Sequence, residues 1–200
     1  MSRGKIKNML LIGLGIVVAI IPFSFRMGDR NHSDRYIRQF NQEEDEDERM
    51  EKKDNKKKNS QNNVLSSGNV VGIIEIPSLN IQYPIFEGVS GTQLNEGIGH
   101  LEESAALCSR GNCVLAGHNG SHRGIYFTYL CNIEIGEKVK VTNKDKVTHE
   151  YTVQEMKTVN PYNSWVTEES ETELLTLFTC ANHGTNRFVV KCVPEEDYYD

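Results

Sequence analysis

Leu174 to Val190 reads LLTLFTCANHGTNRFVV. An apolar, β-favouring run ends at Cys180, a short polar stretch containing glycine follows, and a second apolar run opens beside Arg187. A thiol at one lip of a hairpin and a guanidinium at the other suggest acyl chemistry. Cysteine becomes a nucleophile when a neighbouring base forms or favours its thiolate. Arginine presents a fixed charge and a planar fork of donors suited to an oxyanion or a peptide backbone. Such a site needs a base, and six histidines are available. His32 falls in a charged tether and His149 within a strand pattern, which leaves His100, His118, His122 and His183. His118 stands out because it follows the apolar run VLAG at the mouth of a Gly-rich stretch, the same strand-end position that Cys180 occupies.

The elements that must position these residues are mostly strands. Val70 to Ile76 and Ile81 to Phe86 are short apolar runs separated by Pro77-Ser78-Leu79-Asn80, and Pro84 marks the second as an edge or bend. NCVLAGH reads as a buried strand ending at His118. EKVKVTNKDKVTHEYTVQEM reads as a hairpin, with Val139 and Val141 alternating before the turn and Val147, Tyr151 and Val153 after it. TELLTLFTC and RFVVKCV add two more strands. Helix signals are confined to Thr92–Gly97 and the neighbourhood of Tyr126 to Leu130. Several short strands at close spacing predict an all-β barrel or sandwich.

The front of the chain is different. Met9 to Phe25 carries no charge and follows Arg3, Lys5 and Lys7. It lies at the lower edge of spanning length, and Pro22-Phe23-Ser24-Phe25 is a poor cleavage site, so an uncleaved membrane anchor is expected, with the N-terminus cytoplasmic and the rest outside. Residues 28–68 are polar and densely charged, which predicts a solvated, partly helical tether spanning about 35 Å. The expected organisation is therefore a basic tip and transmembrane signal-anchor over 1–27, a flexible linker over 28–68 and a catalytic domain over 69–200. The formal charge of −6 and the lack of a clustered basic patch outside the linker argue against nucleic-acid binding. Of five cysteines, an exported domain leaves at least one unpaired; Cys108, Cys113, Cys131 and Cys192 are open to disulfide pairing or to burial as thiols.

TLFTC at Thr176 to Cys180, Arg187 opening the next strand and LAGH ending at His118 together resemble the signature of sortases, the cysteine transpeptidases of Gram-positive surfaces. The resemblance extends over GIIEIPSLNIQYPIFEG and GIGHLEESA and runs from Asn69 to about Val193. It implies a closed eight-stranded β-barrel, catalytic roles for His118, Cys180 and Arg187, and substrate-binding positions at Thr179 and Ala116. It implies cleavage of an LPxTG-like sorting signal between Thr and Gly through a thioester. The acyl group then passes to an amine of a peptidoglycan cross-bridge or lipid-linked precursor. No cofactor or resident metal is implied; calcium modulation is possible but not indicated. The chain shows neither the lid motif nor the second membrane segment of pilin-polymerising members, which favours wall anchoring.

Two rival classes exist. His118 with His122 and Cys180 with His183 have spacings that two halves of a tetrahedral zinc site could use, though Gly120 and Gly124 argue against a helix presenting the first pair. A non-catalytic wall-binding module would also suit a β-rich exported domain, since fold alone does not decide function.

Overall fold

A computed structural model describes residues 33–42, 70–120 and 126–195. The anchor expected at residues 9–25 lies outside the described residues. Among the described residues no helix is long and apolar enough to cross a membrane.

The strands form where apolar residues alternate. Val70–Ile76 (β1) turns through a 3-10 helix, Pro77–Leu79, into Ile81–Glu87 (β2). Asn80 closes that turn in the left-handed region at φ 51°, a conformation asparagine tolerates better than most residues. A one-and-a-half-turn helix, Gly91–Glu96 (α2, counting the helix of residues 33–42 as α1), begins at Ser90, whose hydroxyl accepts the Thr92 N–H. Ile98–His100 (β3), Gly111–Ala116 (β4), Lys138–Asn143 (β5), Thr148–Val159 (β6), Glu173–Ala181 (β7) and Asn186–Pro194 (β8) follow. The spatial order is β1-β2-β3-β4-β7-β8-β6-β5, closed by β5 against β1. Closure leaves no strand at the end of the sheet, although the short β3 covers only part of β2 and β4. Pro84 faces Ile73 of β1, whereas pairing to β3 begins only at Ile85. The proline thus occupies the stretch of β2 with a strand on one side alone, although β2 as a whole is not an edge strand.

Two parallel pairs, β2–β3 and β4–β7, matter for function. The second runs the C-terminal ends of β4 and β7 out together, with Ala116 beside Phe178. Inside the barrel, Cys113 and Leu115 of β4, Leu175 and Leu177 of β7, and Val190 and Cys192 of β8 pack with Ile74, Ile85, Phe127 and Tyr151. A bulge between Val153 and Glu155 shifts the alternation of β6, so that Tyr151 and Val153 face the core while Val159 belongs to a separate apolar cluster with Val114, Val166 and Val189. All five cysteines are free thiols; Cys113 and Cys192 are buried, Cys108 is half-buried and Cys131 exposed.

One expectation needs correction. Residues 33–42 were expected to belong to a solvated tether, yet they form a helix whose Tyr36, Ile37 and Phe40 are buried against Val70, Ile73 and Phe86. The Tyr36 and Phe86 rings meet edge to face at 5.2 Å, and Lys146 lies 3.5 Å above the Phe40 ring while donating to the Phe40 carbonyl. This helix and the barrel belong to one compact unit that begins at Ser33.

Candidate active site

Strand alternation places the candidate residues on one face. With Leu175 and Leu177 inward, Thr176, Phe178 and Cys180 of β7 point to the outer face. By the same parity Arg187, Val189 and Lys191 of β8 share that face, as do Asn112, Val114 and Ala116 of β4. Cys180 stands opposite Arg187 in the β7–β8 register, and Val159 of β6 is the partner of Arg187 on its other side. Directly opposed residues have Cβ atoms about 5 Å apart, so Cys180 and Arg187 leave the barrel side by side at the end of the β7–β8 hairpin.

His118 lies two residues beyond β4, and hydrogen bonds on both flanks hold it against β7. Gly117 N–H donates to Phe178 O at 3.2 Å, and the Asn119 amide donates to Cys180 O at 2.8 Å. From the opposite side Phe127 N–H donates to His118 O at 3.1 Å, and Gly120 N–H donates to the Thr128 hydroxyl at 3.0 Å. A Cβ on Gly117 would meet the Phe127 ring at 2.6 Å and Ile98 at 2.8 Å, so the strand-end turn needs glycine there. His118 is thereby kept beside the end of β7 and remains half-buried.

The hairpin between Cys180 and Arg187 is short because Asn182, His183 and Gly184 take left-handed conformations in succession, at φ 49°, 57° and 88°. The Arg187 guanidinium donates through one nitrogen to Gly184 O and Asn186 O, both at 3.0 Å, and so lies along its own hairpin. Arginine has five N–H donors, so several remain to meet a ligand. His183 is exposed at the hairpin tip.

The other expected positions divide. Ala116 ends β4 beside Phe178 and is buried. Thr179 faces inward, is 2% exposed, and its hydroxyl donates to Gly117 O at 2.7 Å. Its hydroxyl ties β7 to the turn carrying His118. Asn119, which supplies the tie to Cys180, carried no signal in the sequence beyond its place after His118.

The remaining histidines and cysteines have other engagements. His100 is buried, with Nδ1 2.8 Å from Glu87 and Nε2 2.9 Å from Ala105 O, and His149 meets Glu173 at 2.7 Å. Burial pushes the thiols of Cys108, Cys113 and Cys192 upward, Cys192 to about 12, which keeps them protonated and poorly nucleophilic near neutrality. Of the other two, Cys131 is exposed, and Cys180 alone has a guanidinium opposite and a histidine-bearing turn tied to its carbonyl. Among the described residues no three His, Cys, Asp or Glu side chains gather to hold a metal, so His118, Cys180 and His183 form no such group. His122 lies outside the described residues.

A thiol, an imidazole and a guanidinium at one end of a barrel face fit acyl transfer. The family model for the sortase domain matches residues 74–195, more than half of the chain. The chain belongs to the sortase family. It is 30% identical to sortase A of Bacillus anthracis over 131 residues, covering 64% of this chain and 61% of that one. It is 34% identical to sortase A of Streptococcus agalactiae over 128 residues, covering 60% of this chain and 51% of that one. The chain thus spans less than two thirds of the length of these relatives. Among solved structures, sortase A of Listeria monocytogenes superposes with a TM-score of 0.59 at 28% identity, covering 64% of this sortase and 88% of that chain. The eight-stranded barrel with few short helices is the sortase fold.

Proposed function

We propose that this sortase is a cysteine transpeptidase that cleaves an LPxTG-like sorting signal between Thr and Gly and transfers the acyl part to a cell-wall amine. The observation that carries the reading is the pairing of Cys180 with Arg187 across β7 and β8, with the His118 turn tied to Cys180 O. Family membership supports it.

The Cys180 thiolate attacks the threonine carbonyl, and a carbon–sulfur bond forms. Arg187 hydrogen-bonds the oxygen that gains charge or aligns the peptide backbone beside it. The carbon–nitrogen bond to glycine then breaks, and His118 delivers the proton that the departing amine requires. In the second half an incoming amine gives a proton to His118, attacks the thioester carbonyl and expels the Cys180 thiolate. The acceptor is an amine of a peptidoglycan cross-bridge or of its lipid-linked precursor. Residues 1–27 act as a single-pass anchor holding the domain outside the membrane, and wall anchoring rather than pilus assembly is the role. The chemistry needs no cofactor.

Incubating the protein with a panel of LPxTG-type peptides and amine acceptors, and reading products by mass spectrometry, tests this. Conjugates joined through the threonine carboxyl support the reading; a panel returned intact contradicts it.

A further inference from the structure

The outer face that carries Cys180 is not open along its length. Immediately after Val159, the partner of Arg187, the chain leaves β6 and folds back over this face through residues 160–172. Its 3-10 helix Ser164–Val166 sets Val166 into the cluster of Val114, Val159 and Val189, with Trp165 and Phe178 packed alongside. Any peptide extended along the Cys180 face therefore runs against this segment.

Two polar anchors fix the segment, and both rise from the barrel wall. The Asn112 amide donates to Val166 O at 3.2 Å and Glu168 O at 2.8 Å, while its carbonyl accepts the Thr176 hydroxyl at 2.7 Å. Lys191, the register partner of Thr176, is 8% exposed. Its ammonium lies 2.8 Å from Glu168 and 4.5 Å from the Trp165 ring, and Lys157 covers the same ring at 4.6 Å. The ammonium holds the Glu168 carboxyl below the usual carboxylate range. Burying an ammonium is costly, and replacing a buried ionic residue with an apolar one of similar volume is often neutral or stabilising. A requirement for stability alone would be met as well by methionine.

We infer that Lys191 is a positioning residue: by gripping Trp165 and Glu168 it holds residues 160–172 as one wall of the groove leading to Cys180, and so governs capture of the acyl-donor peptide rather than the bond-breaking step. This rests on the transpeptidase reading above. The Cys180–Arg187 rung lies four residue pairs along β7–β8 from the Thr176–Lys191 rung on the same face, so the grip reaches the chemistry only through the wall it holds.

Trp165 is the only tryptophan in the chain, so its fluorescence reports the grip directly. Lys191→Met, Lys191→Arg and Glu168→Gln are compared with the wild type for thermal melting, acrylamide quenching of Trp165 and steady-state transfer of an LPxTG-type peptide. Lys191→Met is expected to melt no lower than the wild type and to leave Trp165 more quenchable. Its KM should rise about tenfold with kcat within about twofold, the pattern of lost binding. Lys191→Arg, which can keep both the ion pair and the ring contact, restores KM. Glu168→Gln raises KM by less, and it carries the test should Lys191→Met fail to fold. Wild-type quenching and KM in both Lys191→Met and Glu168→Gln would overturn the inference alone. So would a fall in kcat with KM unchanged. A wild type that transfers no peptide of the panel would overturn the transpeptidase reading and this inference with it.

Discussion

Cys180 and Arg187 are register partners in an antiparallel hairpin, on the outer face of the barrel, with a seven-residue separation that the left-handed run at Asn182, His183 and Gly184 makes possible. The pairing fixes the two Cα positions side by side at the end of β7 and β8. If Arg187 aligns the carbonyl or its oxyanion, Arg187→Ala lowers the rate of Cys180 acylation by roughly 10²–10³. Arg187→Lys does not restore it fully, because a point charge lacks the paired donors of the planar fork. Single-turnover acylation measures both; wild-type rates in Arg187→Ala would remove Arg187 from the chemistry.

His118 has a different dependence. Loss of the imidazole removes the proton for the departing amine, so His118→Ala should lower peptide acylation by about 10²–10⁴. Its thiol should still react slowly with iodoacetamide, which needs no proton delivered to a leaving amine. Equal losses in alkylation and acylation would indicate that His118 acts only by forming the thiolate.

The docked helix predicts a stability effect far from the site. Phe40→Ala removes a buried ring from the cluster with Tyr36, Val70, Ile73 and Phe86 and should cost about 3 kcal/mol. Urea unfolding of a protein beginning at Ser33 or earlier measures it. A loss below about 0.5 kcal/mol, the range of ordinary surface changes, would mean the helix is not held there in solution.

Alkaline pH should destabilise the barrel. Cys192 is raised from 9.0 to about 12 by burial, and Cys113 and Tyr151 are raised further by the same cause. A raised pKa contributes stability that is complete below the unfolded value and is lost as pH climbs toward the folded one. Between about pH 9 and 12 the unfolded chain has released protons that the folded chain retains, so melting temperature should fall through that window. Thermal melts at pH 8, 9, 10 and 11 check this; a flat profile would contradict the burial of these thiols.

The legibility of the fold followed the range of the contacts. The hairpins β5–β6 and β7–β8 showed in the sequence because alternation and turn residues are local signals; the strand-end positions of Cys180 and Arg187 came with the second, and that of His118 with the apolar run of β4. β3 has three residues and pairs in parallel with β2, too short for a periodic pattern to register. Tyr36, Ile37 and Phe40 were hidden among Asp34, Arg35 and Arg38, where average composition reads as solvated tether although one narrow stripe is apolar. The family resemblance alone named Thr179; strand alternation turns its side chain to the face opposite Cys180, where it bonds Gly117 O. Trp165 gave no signal because Lys157, Lys191 and Asn112 reach its segment from three different strands.

The most direct test of the account is intact-protein mass spectrometry after mixing the enzyme with an LPxTG-type peptide in the absence of an amine acceptor. The account predicts a mass increase equal to the peptide through its threonine, mapped to Cys180, reversed on adding an amine and absent in Cys180→Ala. Adduct on another cysteine, or transfer that persists in Cys180→Ala, would contradict it.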